Sequence, residues 1–254
     1  LITGLRFGPD GNLWAFDSNS FSVVRVSPQG KQLPRIHFAD RAFSSVTFTK
    51  DGQALFGEHL VGNTVKLPLG TTLVKVPGTD LFGYGHVFRF TLDGKPVKEY
   101  ATATNGGMGG FLGVTTTSLA PDGRTLVYTS ETGFRVYRYD IEADQQLSDL
   151  ISLDPAAGEM AILATHRADG TLLFIKAGRA TGFTMQHLDA DGKVLHSWPL
   201  PGPGWANITP SAIEKDVVLL GNFFTGTVAK FDLATGQLGA KAETNVKKSL
   251  AGIA

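Results

Sequence analysis

Five polar residues recur at matching places along this chain, and four of them carry a side-chain oxygen. Asp17, Glu58, Glu131, Lys176 and Asn222 each follow an apolar run that itself follows a turn. Oxygen donors suit a hard divalent cation, with calcium the expected ion. If the runs converge, Asp17, Glu58, Glu131 and Asn222 make one metal site, and its cation would polarise a carbonyl and activate water. The alternative is local, because Asp and Asn at turns often bond the backbone of their own loop. Asp17, followed by Ser18 and Asn19, suits that role. Glu58 and His59 set a carboxylate beside a group that titrates near neutral pH, a candidate catalytic pair. Lys176 and Arg179, in IKAGRATG, are candidates to orient a carboxylate or lactone carbonyl, or else lie on a solvated loop.

Other chemistries are excluded or weak. There is no cysteine, so disulfides, thiolate metal sites and a cysteine nucleophile are absent. His86, His166 and His187 share no spacing, and no pair of histidines has the one- or three-residue separation that favours zinc. Each lone histidine reads as structural. No Gly-x-Ser-x-Gly elbow occurs, which argues against a serine hydrolase. The glycine-rich Thr104–Val114 would let a backbone approach a ligand closely. It lacks the Gly-Lys-Ser/Thr of a phosphate loop, and no helix follows it.

The elements that must position these residues come from a repeat. LRFGPDGNLWAFD, from Leu5 to Asp17, is an apolar run, a turn and a second apolar run. The phrase returns as VTFTKDGQALFGE from Val46, SLAPDGRTLVYTSE from Ser118, ATHRADGTLLFIKA from Ala164 and, more loosely, SAIEKDVVLLGN from Ser211. Asp-Gly between β-rich runs predicts a hairpin, since glycine accepts the positive φ of the turn. Each phrase precedes a second pair of strands, such as HVFRFTLDGKPVKEY and RVYRYDIEADQQLSDL, with period-two alternation. Four strands followed by a restart predict an all-β propeller of four-stranded blades in one domain over residues 1–254. The terminal KKSLAGIA resembles another first strand, so six blades are expected, with five the alternative. The step from Asp51 to Asp122 is about 25 residues longer than the others. Its surplus, between Gly62 and Gly85, predicts an excursion between the second and third strands of blade 2.

Composition sets the outer limits. Hydrophobic residues make up 42% and charged residues 18%, a globular balance. Basic and acidic residues number 23 each, so no net field attracts nucleic acid. No apolar run is long enough to span a bilayer as a helix. The chain opens at Leu1 without Met, so trimming is expected, with a periplasmic or secreted location slightly favoured.

GLRFGPDGNLWAFDSNSFSVVRVSPQGK, from Gly4 to Lys31, resembles the NHL and SMP-30/gluconolactonase propellers. PDGRTLVYTSETGFRVYRYDI, from Pro121 to Ile141, resembles the strictosidine-synthase-like branch of the same superfamily of six-bladed propellers. That resemblance implies a divalent cation in the central channel and hydrolysis of lactones or small esters. The family's Asn-Gly pair falls on Thr115 and Thr116, and its Asp ligand on Ser130, with Glu131 one place further. Its Glu ligand has no counterpart near Thr3 and Gly4. Two functions remain: a metal-assisted lactone or ester hydrolase, or a non-catalytic propeller that binds a small ligand or a protein. Phe82, Tyr84, Phe223 and Phe224 would be its aromatic anchors. A lyase using the same cation is a third reading.

Overall fold

The protein is described from a computed structural model covering all residues except 1, 18–19, 39–40, 63–72, 105, 107–111, 212, 246, 249–251 and 254; of Ile2 and Thr3 only the backbone is described. Five antiparallel sheets follow one another along the chain, each in sequential strand order. Blade 1 contains β1 (Ile2–Phe7), β2 (Leu13–Asp17), β3 (Ser22–Val26) and β4 (Gln32–His37). Blade 2 contains β5 (Phe43–Phe48), β6 (Ala54–Glu58), β7 (Val87–Phe90) and β8 (Pro96–Tyr100). Blade 3 contains β9 (Thr116–Leu119), β10 (Thr125–Thr129) and β11 (Arg135–Asp140), and its outer edge divides into β12 (Gln145–Gln146) and β13 (Ile151–Ser152), both paired with β11. Blade 4 contains β14 (Met160–His166), β15 (Leu172–Gly178), β16 (Gly182–Leu188) and β17 (Val194–Leu200). Blade 5 contains β18 (Trp205–Pro210), β19 (Val217–Asn222), β20 (Thr227–Asp232) and β21 (Gln237–Glu243).

The turns form for the reason the sequence gives. Gly11, Gly52, Gly123 and Gly170 all have φ between 73° and 85°, while Asp10, Asp122 and Asp169 accept backbone N–H bonds from residues two positions on. Blade 3 differs by one residue. Its first hairpin closes from Ala120 N–H to Thr125 O, whereas those of blades 1, 2 and 4 close over a loop one residue shorter, as from Thr49 N–H to Gln53 O.

Alternation along each second strand then supplies a core on both faces of a sheet. Phe56 packs with Trp14, Phe16 and Phe43 between blades 1 and 2, while its neighbour Leu55 packs with Tyr100, Tyr128 and Tyr137 between blades 2 and 3. Phe174 and Leu173 divide in the same way between the blade 3–4 and blade 4–5 cores. Burying a side chain of this size contributes roughly 1.5–3 kcal/mol, so the second strands of blades 2, 3 and 4 each bind two neighbours at once.

The six-blade expectation is corrected to five. The described residues form five blades, the stated alternative, and no strand follows β21 among them. The resemblance of KKSLAGIA to a first strand has a limited basis. Gly252 and Ile253 lie between blades 5 and 1, where Thr209 Oγ1 donates to Ile253 O at 2.7 Å and Gly252 sits against Leu5. Successive inner strands pack directly from β1 through β18.

Candidate functional site

The second strands of all blades end at one face, here called the upper face, and the connections between blades begin there too. Register defines equivalent positions. Asp17, Glu58, Lys176 and Asn222 each pair across a bulge with the start of the inner strand, opposite Ile2, Phe43, Ala161 and Trp205. In blade 3 the same count, made from the Thr116–Thr129 pair, arrives at Ser130. Glu131 therefore stands one position beyond the other four, which corrects the equivalence read from the sequence. The signal was present in the longer hairpin of blade 3.

Glu58 is fully buried and already satisfied. Oε1 accepts from Arg41 Nη1 at 3.0 Å, and Oε2 accepts the backbone N–H groups of Tyr84 and Gly85, both at 2.8 Å. The Arg41 guanidinium lies over the Phe88 and Tyr84 rings, 4.2 and 4.9 Å from their centroids. Glu58 thus fastens the returning end of the blade 2 excursion, which does run between β6 and β7 as predicted. Gly113, at φ 93°, passes so close that a Cβ there would lie 2.4 Å from Glu58 O. Most of the glycine-rich segment before it lies outside the described residues.

Asp17 and Asn222 also work within their own blades. Asp17 Oδ2 accepts from Ser20 Oγ at 2.8 Å and Arg35 Nη1 at 3.0 Å. Asn222 Oδ1 accepts from the N–H groups of Phe224 and Thr225, and its Nδ2 donates to Pro203 O. Lys176 Nζ donates to Glu159 Oε1 at 2.6 Å, and that bond holds the Glu159 carboxyl below the usual range. Among the described residues no three His, Asp or Glu side chains gather around one point. The proposed donor set does not fit a shared cation, because Asp17, Glu58 and Asn222 direct their oxygens to separate local partners.

The remaining histidines are held locally. His86 Nδ1 pairs with Glu99 at 2.7 Å, His187 Nε2 with Thr171 Oγ1 at 2.9 Å, and the His59 N–H donates to Ala42 O. Burial lowers the pKa of His166 and His187.

Glu131 is different. Its backbone N–H donates to Thr115 Oγ1 at 2.6 Å, but its carboxylate has no hydrogen bond or ion pair among the described residues. Burial pushes its pKa up to about 7. The next residue, Thr132, has φ 65°, a left-handed conformation that costs a β-branched residue energy. This turn is fixed to blade 4, since Thr132 N–H donates to Ala161 O and Ala161 N–H donates to Gly133 O.

Across β14 from that turn, the upper end of blade 4 opens into a cleft of about 550 Å³. Met160, Phe183, Leu200 and Pro203 supply apolar wall, four glycines expose backbone, and Arg179 stands at the rim with its side chain in solvent. Sequence reasoning named Arg179 but not the cleft, whose walls come from four strand ends far apart in the chain. Of the aromatics proposed as anchors, Tyr84 and Phe224 are exposed, whereas Phe82 packs against Phe21, Ala42 and Val61.

No family model matches this sequence, and no curated protein does. Solved structures do resemble it. A selenomethionine-substituted virginiamycin B lyase from Staphylococcus aureus superposes with a TM-score of 0.61 at 16% identity, over 97% of this chain and 85% of that one. A catalytically inactive form of that lyase, solved with quinupristin, gives 0.61 at 17% identity over the same shares. A chain of a nidogen/laminin complex gives 0.67 at 13% identity, over 95% of this chain and 80% of that one. At these identities the likeness establishes the β-propeller fold alone. No helix among the described residues is long and apolar enough to cross a membrane.

Proposed function

We propose that this propeller binds a small organic acid at the upper end of blade 4, with the apolar body in the cleft and the carboxylate on Arg179. The cleft carries this reading. Its volume of about 550 Å³ lies within the range of small-molecule sites, and such sites are mostly apolar with a few polar groups that orient the ligand. Gly158, Gly178, Gly182 and Gly202 place backbone where side chains would otherwise fill the space. Arg179 makes no ion pair among the described residues, and a guanidinium fork matches a carboxylate.

Calorimetric titration with a panel of aryl and alkyl carboxylates and the matching amides tests the proposal. Acids should bind, amides should bind at least about tenfold more weakly, and Arg179→Gln should remove the difference. Amides binding as well as acids, with Arg179→Gln indifferent, would sink it.

A second reading keeps the enzyme. Glu131 is a carboxylate near half-protonation at neutral pH, held by a strained turn, which is the condition for general acid–base work. It supports hydrolysis of a lactone or small ester with Glu131 taking a proton from water. A shared cation on Asp17, Glu58, Glu131 and Asn222 is no part of this reading, given the separate partners of Asp17, Glu58 and Asn222. Turnover of a lactone panel that rises with an apparent pKa near 7 and is abolished in Glu131→Gln would support it; activity unchanged in that variant would remove it.

A further inference from the structure

The inner wall of the ring has an unusual charge distribution. Its five strands, β1, β5, β9, β14 and β18, read ITGLRF, FSSVTF, TTSL, MAILATH and WANITP. They contain no acidic residue. Arg6 is their only permanent cation. The one histidine, His166, has its pKa lowered by burial and lies 3.3 Å from Ser118 Oγ through Nδ1, so it adds little charge at neutral pH.

Register places Arg6 in a defined layer. Arg6 pairs with Trp14, and the equivalent pairs are Thr47–Leu55, Ser118–Val127, Thr165–Leu173 and Thr209–Leu219. Where blade 1 has a guanidinium, every other blade has a hydroxyl. Alternation turns Arg6 the same way as Gly4, whose missing Cβ faces Ser44 and Ser45 of β5. The hydroxyl of Thr47, in the same layer on that neighbouring strand, has no hydrogen-bond partner among the described residues.

Arg6 is equally unpartnered. Its side chain makes no hydrogen bond or ion pair among the described residues, and burial lowers its pKa. None of its nitrogens is sealed off from solvent. A guanidinium withdrawn from bulk water normally finds a carboxylate or carbonyl, since an uncompensated buried charge is costly. Here the described residues supply the cation and the hydroxyls but no anion.

We propose that Arg6 and the hydroxyl layer around it form an anion site in the central channel that takes a small oxyanion, such as a phosphate or a carboxylate group. Arg6 would engage two oxygens through its fork, and Thr47 would donate to a third. The site is separate from the blade 4 cleft and does not depend on it.

Titration of the intact chain with inorganic phosphate and, separately, with acetate tests this, acetamide serving as the neutral control. At least one anion should bind and raise Tm with its concentration. In an Arg179→Gln background, which removes carboxylate binding at the cleft, Arg6→Gln should weaken the remaining binding at least tenfold and Arg6→Lys should restore part of it. Should Arg6→Gln fail to fold, the Arg6 Nε–H resonance of the wild-type protein gives the answer, because it must shift as the anion saturates. Equal binding with and without Arg6→Gln in that background, an unmoved Arg6 resonance, or no binding of either anion would overturn the proposal.

Discussion

Blade 2 and blade 3 each end their second strand near a glutamate, and the two carboxylates have opposite fates. Glu58 is enclosed by Arg41 and by two backbone N–H groups from a loop more than twenty residues further along the chain. Glu131, one position further along its blade, makes no hydrogen bond or ion pair through its carboxylate among the described residues. Residue type is the same, and so is the end of the ring. What differs is whether distant chain returns to supply donors. The contrast teaches that a recurring acid in a propeller is a candidate site only where nothing else in the fold has claimed its oxygens.

Replacing Glu58 with Ala probes the claimed side and should have the largest effect. It removes three donors' acceptor and strands Arg41, so denaturant unfolding should show a loss of about 3–5 kcal/mol. A loss below 1 kcal/mol would mean that the blade 2 excursion is fastened by other contacts.

Glu131→Gln probes the unclaimed side through pH. The folded pKa, about 7, lies above the ordinary value of 4.5. The unfolded chain therefore releases its proton first as pH rises, and the group's stabilising effect is full below about 4.5 and lost towards 7 and beyond. The variant lacks this penalty. At pH 8 it should be more stable than the parent by on the order of 1–3 kcal/mol, and at pH 4 the two should agree. Unfolding curves at both pH values check this, and a gain that does not vary with pH would contradict the assigned burial.

Thr132→Gly should have the smallest effect. Glycine accepts φ 65° freely, so a gain of about 0.5–1 kcal/mol is expected. If Glu131 transfers protons, the looser turn should also lower kcat more than it changes KM.

Much of the fold was legible because a blade is local. The Pro-Asp-Gly and Lys-Asp-Gly turns, the alternation of Leu55 and Phe56, and the surplus in blade 2 are all facts about neighbouring residues. Blade number was not, because Gly252 and Ile253 fit beside β18 and β1 without a sheet to follow. The site was less legible still. Arg41 reaches Glu58 across 17 residues and Gly85 reaches it across 27, distances at which spacing carries no information. Arg6 could have been found by aligning the repeats, since it alone replaces a Ser or Thr in its layer.

The two ends of the ring are also built from different material. Seven phenylalanines and Trp14 fill the space between blades 1 and 2 and their margins, with Phe43 stacked on Phe56 at 4.7 Å. The blade 4–5 core is mostly aliphatic and contains Trp205, with Trp198 packed against Phe231. The chain has only three tryptophans, so its emission carries two separable signals: a single indole buried among rings at one end, and a pair at the other, one of them stacked on His196 at 5.6 Å. The ring thereby labels its own two halves, and loosening that begins at one end can be told optically from loosening that begins at the other.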